Sequence, residues 1–362
     1  MRAGLRFCST KCCATPRTNT LGSPKAIKRI APNPIGMSGP IRNRMARRPT
    51  TGCPRSQVQH GPTSRAAVNI ITTSSLRQQP KVNWHNADAR KAALDVLDLW
   101  LKRGADGFRL DVANAYLHDA TLTDNPPVPM PERNALSWEH APNLQEHLHD
   151  SNLIENIECL DAIRRTVDKH SNRFVFGEFS ELAERSGCYA APDEGLHSGY
   201  SFPMLLQRKL DPKFFRDYFT LLAKHPAHWP CISFSNHDVM RTVSRFGGRN
   251  PPPELAKMLL ALLFSLKGTV LMYQGEELGL PEADLRRDQL RDPVGDLYYP
   301  QHKGRDGCRT PMPWNGSAPN LGFTSGTPWL PLAPQHQSLA VTAQETDPGS
   351  VLRFAREMLA MR

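Results

Sequence analysis

The apolar positions of this chain repeat with two different spacings from about residue 89 onward. Between residues 89 and 103, leucines recur every three or four positions, which predicts a helix that Gly104 ends. Residues 105–112 place Phe108, Leu110 and Val112 at every second position, as a strand does. The same two spacings predict further helices over residues 153–170, 214–224, 254–266 and 350–361, and further strands over residues 174–176, 199–204, 231–234 and 269–273. Long loops are predicted over residues 124–143 and 286–307.

Strands that alternate with helices favour parallel β/α units and therefore an α/β fold. Five of the predicted strands lie between residues 105 and 273. A closed barrel of eight such units needs three more strands before residue 105, where only the helix over residues 89–103 is predicted. Residues 1–80 show no apolar periodicity and are rich in Pro, Gly, Ser and Arg. We therefore expect an α/β chain that forms only part of a barrel.

The net charge of +10 comes from the first part of the chain alone. Residues 1–80 contain 14 Lys and Arg and no Asp or Glu, and the first acidic residue is Asp88. The remaining residues hold 31 basic and 35 acidic side chains, so this larger part is mildly acidic. The overall charge therefore does not indicate a protein that binds nucleic acid.

No apolar stretch reaches the roughly 18–20 residues that cross a bilayer, since the best candidate, residues 258–266, stops at Lys267. The start of the chain has no apolar core of a secretion signal. The eight cysteines are scattered without metal-site spacing, which favours free thiols in a reducing compartment. We therefore expect a cytoplasmic protein with no membrane partner.

Three of the predicted strands lead directly into a carboxylate: Asp111, Glu178 and Asp238. Arg109 lies two residues before Asp111, on the same side of its strand, where it can keep that carboxylate ionised. Each motif alone also suits a structural role, such as a salt bridge, a surface acid or a helix cap. Three strands that each lead into a carboxylate together favour hydrolysis of a glycosidic bond, which uses paired carboxyl groups.

The segments GFRLDVAN, FGE and SNHD, in this order and spacing, resemble conserved regions II, III and IV of the α-amylase superfamily, glycoside hydrolase family 13. The segments QPKVNWHN, DNPPVP, YQGEELGLP and GRDGCRTPMPW are similar to its bacterial α-glucosidase and oligo-1,6-glucosidase branch. The resemblance extends from about Gln79 to the last residue. Lys81 departs from the pattern, because the QPDLN motif of the family has an acid there, although not a catalytic one.

The resemblance implies a role for each carboxylate. Asp111 is the expected nucleophile that forms a β-glucosyl-enzyme, and Glu178 is the expected general acid and then general base. Asp238 is expected to stabilise the transition state and to bind sugar hydroxyl groups. The expected activity is that of a retaining α-glucosidase on terminal α-linked glucose of short oligosaccharides.

The resemblance also implies three residues that bind substrate. Arg109 is expected to hold the nucleophile and His237 to bind the glucose ring. Arg305, with Arg309 as the alternative, resembles the arginine that holds the glucose at the non-reducing end. A loop ion pair between Arg305 and Asp306 is the competing structural interpretation. No cofactor and no metal ligand is expected, and the oligomeric state is not indicated.

The family fold is a TIM (β/α)8 barrel, of which residues 79–362 are expected to supply about strands 4–8, without the C-terminal β-sandwich of the family. Residues 1–78 are expected to be a disordered, non-native basic segment. Region I of the family and the domain inserted beside it are not found in this sequence.

We hypothesise that residues 1 to about 77 are an out-of-frame translation. If the third base of each codon is joined to the first two bases of the next, residues 69–76 permit His-His-His-Asn-Phe-Leu, which is typical of the branch. Residues 9–17 permit a string that resembles region I, and the frame would return near Arg77. The alternative is a genuine basic arm, either a transit peptide or a nucleic-acid-binding tail. With region I out of frame and the sheet incomplete, we expect little or no glucosidase activity from the chain as translated.

Two other functions remain open on the same fold. One is a transglucosylase acting on glucans or sucrose. The other is a non-catalytic amylase-like protein, such as the heavy chain of an amino-acid transporter, which needs a membrane span and usually lacks the catalytic acids. The position of Val112 directly after the expected nucleophile favours tolerance of α-1,6 links, by resemblance only.

Overall fold

The computed structural model describes residues 59–60, 70–71, 81–129, 145–179, 189–190 and 194–362. Within these ranges, no helix combines the length and apolarity that a membrane crossing requires. The chain divides into two compact units. The first unit contains the described residues up to Gly199 together with His225–His228, and the second contains Tyr200–Lys224 and Trp229–Arg362.

The described strands are β1 (Gln59–His60), β2 (Ile70–Ile71), β3 (Gly107–Leu110), β4 (Phe174–Phe179), β5 (Ser198–Ser201), β6 (Cys231–Ile232) and β7 (Thr269–Val270). The described helices are α1 (Ala87–Lys102), α2 (Asn156–Val167), α3 (Phe202–Leu206), α4 (Pro212–Ala223), α5 (Thr242–Gly247), α6 (Pro253–Ser265), α7 (Pro293–Tyr298), α8 (Val341–Thr346) and α9 (Val351–Met361). Strands β1 and β2 pair antiparallel.

The first unit is built on the parallel pair β3 and β4, in a sheet with the order β3-β4-β5. All four residues of β3 are buried, as expected for a parallel strand covered on both faces. Gly107 is the first residue of this strand. A side chain does not fit at this position, because an added Cβ would lie 1.8 Å from the Phe174 carbonyl oxygen. The register pairs Arg109 with Phe176 and Leu110 with Gly177. This register brings the last residues of the two strands to the same edge of the sheet.

Helices α1 and α2 bury their apolar stripes in the core of the first unit. Asn86 caps α1 by accepting a hydrogen bond from the Ala89 amide at 3.0 Å. From α1, Leu97 and Leu101 enter the core. From α2 and the strands, the core receives a set of fully buried side chains: Leu160, Ile163, Val167, Phe108, Leu110, Val175 and Phe179.

In the second unit, β6 and β7 pair parallel, with Cys231 opposite Thr269. Helix α6 packs against α9 and buries Leu259, Leu260 and Phe264 among other apolar side chains. Arg362 donates hydrogen bonds to the carbonyl oxygens of Phe264, Leu266 and Gly268. This guanidinium satisfies carbonyl groups at and beyond the end of α6.

The predicted helices are confirmed to within three residues, but several strand predictions are wrong in part. The strand predicted over residues 105–112 ends at Leu110, and the strand predicted over residues 199–204 turns into helix α3 at Phe202. The predicted buried strand over residues 269–273 is only β7, whose Thr269 is exposed. The predicted loop over residues 286–307 contains α7, which Pro293 begins and whose six residues are too short for a periodic signal. Of the cysteines in the described residues, Cys159, Cys231 and Cys308 are buried and free, while Cys188 lies outside them.

Candidate active site

The guanidinium of Arg109 binds two carboxylates at the end of strand β3. It donates through Nη1 to Asp111 and through Nη2 to Glu178 Oε1, the latter at 2.5 Å. The side chains of Arg109 and Glu178 are buried, whereas that of Asp111 is 30% exposed. One buried cation therefore holds two acids of the predicted site, one of them open to solvent. Glu178 lies inside β4, whereas the sequence predicted a position after the end of that strand.

Val112 turns the chain sharply after the carboxylate of Asp111. Its φ of 43° lies in the left-handed region, which a β-branched residue rarely adopts. This conformation ends β3 and directs the Val112 amide to Glu178 Oε2, to which it donates at 3.4 Å. The strained residue thus contacts the second acid of the pair, as strained backbone often does at functional sites.

Asn156, the first residue of helix α2, holds the loop that follows Val112. Its side chain is buried, donates to the Ala113 carbonyl oxygen at 2.8 Å and accepts from the Leu117 amide at 3.2 Å. The loop therefore keeps its place through two long-range hydrogen bonds. We did not predict Asn156 as a functional residue, and the only signal was a polar residue at the start of a predicted apolar stripe.

In the second unit, Asp238 follows β6 within the segment SNHD. Its Oδ1 accepts from Arg305 Nη1 and from Arg309 Nη2, both at 2.9 Å. Its Oδ2 lies 3.3 Å from His237 Nε2. Two guanidinium groups therefore hold one carboxylate oxygen, and the histidine lies beside the other. Both arginines that the sequence analysis weighed against each other bind Asp238.

Besides Asp238, Arg305 forms an ion pair with Asp292 and not with Asp306. The Arg305 side chain donates to the Asp292 carboxylate through Nε at 2.8 Å and through Nη2 at 3.2 Å. Asp306 instead accepts from the backbone amides of Arg291 and Asp292, at 2.5 Å and 2.7 Å. The alternative of an Arg305–Asp306 pair is therefore wrong, because the Asp306 carboxylate satisfies amide groups of the neighbouring loop.

The charges around Arg305 shift two pKa values. Burial alone would raise the pKa of Asp292, but the Arg305 guanidinium outweighs it, so the pKa lies below its ordinary range. Burial opposes the charge of Arg305, yet Asp292 and Asp238 raise its pKa above the ordinary value. Asp292 and Arg305 are therefore both charged at neutral pH.

The structure thus gathers the predicted residues into two clusters, one in each unit. The first contains Asp111, Glu178 and Arg109, and the second contains Asp238, His237 and Arg305. Among the described residues, no group of three or more His, Cys, Asp or Glu is placed to hold a metal ion.

Comparisons with known proteins identify the family of this chain. The family model for the α-amylase catalytic domain matches residues 71–362. A probable α-glucosidase of Rhizobium meliloti is 44% identical over 298 residues, which cover 79% of this chain and 53% of that protein. An oligo-1,6-glucosidase of Heyndrickxia coagulans is 28% identical, with 79% of this chain and 56% of that protein covered. The chain therefore spans about half the length of the curated relatives it matches.

Among solved structures, the crystal structure of the α-glucosyl transfer enzyme XgtA superposes with a TM-score of 0.76 at 42% identity, covering 81% of this chain and 55% of that one. The trehalulose synthase MutB of Pseudomonas mesoacidophila is similar in fold, with a TM-score of 0.69 at 21% identity. These likenesses confirm the α/β fold of TIM-barrel type. By its family match over residues 71–362, the chain belongs to the α-amylase catalytic-domain family.

Proposed function

We propose that this chain carries the catalytic carboxylates of a retaining α-glucosidase that acts on the terminal α-linked glucose of short oligosaccharides. The observation that supports this best is the buried Arg109 guanidinium, which binds Asp111 and Glu178 at once. A retaining glycosidase needs two carboxyl groups roughly 5–5.5 Å apart, and the terminal nitrogens of one guanidinium can hold acids at about that separation. The α-glucosidase at 44% identity supports the same activity.

The proposed reaction takes two steps. Asp111 attacks the anomeric carbon and forms a β-glucosyl ester, while Glu178 gives its proton to the glycosidic oxygen and the shortened sugar leaves. Glu178 then takes a proton from a water molecule, and that water attacks the anomeric carbon and displaces Asp111. Glucose leaves with its original α configuration, and both acids return to their starting states.

In this proposal, Asp238 stabilises the positive charge that develops on the sugar ring and binds sugar hydroxyl groups. Arg305 and Arg309 occupy Oδ1, so Oδ2 is the atom that we assign to the sugar. His237 lies beside Oδ2 at 3.3 Å and is assigned to a neighbouring hydroxyl group. The Arg305 contact with Asp238 supports a role for this arginine near the same sugar.

We also propose that the catalytic residues belong to a domain over residues 79–362 and that residues 1–77 come from the wrong reading frame. Sequencing the gene across codons 1–90 tests this directly, and an uninterrupted frame with no phase change near codon 77 would refute it. The frame-restored chain, defined here as this chain with residues 1–77 translated from the neighbouring frame, provides the activity test. It should hydrolyse p-nitrophenyl α-glucoside at least about 100-fold faster than the 362-residue chain, a factor that misplaced catalytic groups alone can cost. Equal rates would contradict the proposal.

Azide rescue in the frame-restored chain tests the roles of the two acids separately. In Glu178→Ala, azide should attack the β-glucosyl-enzyme and give α-glucosyl azide, because Asp111 is still present. In Asp111→Ala, azide should attack p-nitrophenyl α-glucoside directly and give β-glucosyl azide. The same azide anomer from both variants, or no rescue of either, would contradict the assigned roles.

Glucosyl transfer is the second candidate, since the chain is 42% identical to the α-glucosyl transfer enzyme XgtA. Incubation of the frame-restored chain with maltose distinguishes hydrolysis from glucosyl transfer. A hydrolase releases glucose alone, whereas a transferase also accumulates trisaccharides and isomeric disaccharides. Product analysis by chromatography therefore decides between them.

A further inference from the structure

Asp292 is a buried carboxylate outside the predicted catalytic set, and it holds Arg305 at three points. Its side chain has no exposed surface. It accepts from the Arg305 side chain through Nε at 2.8 Å and through Nη2 at 3.2 Å, and from the Arg305 amide at 2.9 Å. A planar guanidinium bound in this way has a fixed orientation.

The surrounding loops bring Asp292 close to Arg305. Asp292 precedes helix α7 and accepts from the Val294 amide at 3.2 Å. Gly304 has a φ of +68°, and an added Cβ would lie 2.8 Å from the Asp292 Oδ2 atom. Only glycine therefore allows the backbone before Arg305 to approach the carboxylate this closely.

This fixed orientation leaves Nη1 as the terminal nitrogen of Arg305 that does not contact Asp292. Nη1 donates to Asp238 Oδ1 at 2.9 Å. The other oxygen of Asp238, Oδ2, lies 3.3 Å from His237 Nε2 and is the one that we assign to the sugar. A rotation of Arg305 would release the restraint on the carboxylate, although Arg309 would still contact it.

We propose that Asp292 is a positioning residue that acts through Arg305 to set the orientation of the Asp238 carboxylate. The inference rests on the proposed function of Asp238 in binding and stabilising the sugar. If Asp292 served only to cap α7, removal of its charge would leave the Arg305–Asp238 contact intact.

Crystal structures of the full 362-residue chain test the proposal without any need for turnover. Asp292→Asn keeps the size of the side chain and can still accept from Val294. We expect the Arg305 guanidinium to rotate away from Asp238 in this variant. The matched control is Asp296→Asn on the same helix, where an exposed carboxylate binds Arg287 at 3.0 Å. Arg305 remaining within hydrogen-bond distance of Asp238 in Asp292→Asn would overturn the proposal.

Arg305→Lys is the second variant, in case Asp292→Asn does not fold. One ammonium cannot bind Asp292 and Asp238 as the guanidinium does. We expect the lysine to pair with the buried Asp292 and to leave Asp238. A lysine that instead pairs with Asp238 would show that Asp292 does not determine where the cation points.

Kinetics with p-nitrophenyl α-glucoside, measured on variants of the frame-restored chain, give a readout that a structural role would not produce. In Asp292→Asn, kcat should fall by about 10-fold to 100-fold, the range for a lost hydrogen bond to a charged group, with little change in KM. Asp296→Asn should match the unmodified chain. The double variant Asp292→Asn/Arg305→Ala should be no slower than Arg305→Ala, because both changes affect one path. Additive losses would overturn the proposal. An inactive frame-restored chain would count against the proposed activity only, because the crystal structures still decide the role of Asp292.

Discussion

At the scale of single residues, Arg109 carries the strongest argument for the proposed chemistry. A buried cation needs opposite charge beside it, and the Asp111 carboxylate supplies that charge, while Glu178 accepts a second hydrogen bond from the same guanidinium. The pair with Asp111 follows from the sequence, since residues two apart on a strand share a face. The contact with Glu178 depends on the register of β3 against β4, which no local pattern encodes.

We predict that Arg109→Lys lowers kcat about 100-fold, measured with p-nitrophenyl α-glucoside on the frame-restored chain. One ammonium cannot hold both carboxylates, and small displacements of reacting groups have effects of this size. The matched control is Arg173→Lys, because Arg173 pairs with Asp106 at the opposite ends of the same two strands. Equal losses in the two variants would contradict a special role for Arg109.

At the scale of secondary-structure elements, helix α2 connects the core to the loop after Asp111. Its apolar stripe fixes the helix, and Asn156 at its first residue holds the loop. The stripe was predictable from leucine and isoleucine spacing. The function of Asn156 was not, because its two partners lie 39 and 43 residues earlier in the chain.

We predict that Asn156→Ala lowers the free energy of unfolding by about 1–3 kcal/mol, because two buried backbone groups lose their partner. It should also lower kcat, since the loop after Asp111 loses its anchor. Asn86→Ala removes the cap of α1 and should cost about 1 kcal/mol without affecting kcat. Thermal unfolding and initial rates measure both effects. A normal kcat in a destabilised Asn156→Ala would contradict the positional role.

A second feature at this scale is Glu276, which lies in the turn that follows β7. Its carboxylate accepts from Thr242 Oγ1 at 2.7 Å and from the Tyr273 amide at 2.9 Å. Burial nevertheless raises the pKa of Glu276 to about 7, and burial raises the pKa of Glu282 to about 7 as well. The folded state therefore binds protons more tightly than the unfolded state at these carboxyl groups.

We predict that Glu276 and Glu282 lower the free energy of unfolding as pH rises from about 4.5 to 7, against an opposite contribution from His118 and His336, whose pKa values burial lowers to about 4. The stabilisation by protonated Glu276 is complete below the unfolded pKa and is lost as pH rises through the folded pKa. Glu276→Gln should remove part of this slope, on the order of 1–3 kcal/mol, and Glu282 should supply the rest. Glu357→Gln, an exposed control, should leave the slope unchanged. Denaturant unfolding at several pH values measures it, and an unchanged slope in Glu276→Gln would contradict the prediction.

At the scale of the whole molecule, the sequence predicted the α/β fold and most helix positions, because helical periodicity is local. It misplaced short elements. A strand was predicted over residues 199–204, but a helix begins at Phe202, and a loop was predicted where Pro293 begins a six-residue helix. The competing structural interpretation of Arg305, a pair with its sequence neighbour Asp306, was wrong, because the carboxylate that it binds in this loop is that of Asp292, 13 residues away. Contacts between distant segments depend on packing, which a single sequence does not display.

The proposal that Asp111 is the nucleophile has a direct test in covalent trapping. The frame-restored chain should be incubated with 5-fluoro-α-glucosyl fluoride, digested and mapped by mass spectrometry. The account predicts one fluoroglucosyl group on the peptide that contains Asp111, and no label in Asp111→Asn. A label on any other carboxylate, or steady hydrolysis of p-nitrophenyl α-glucoside with no trapped ester, would contradict it.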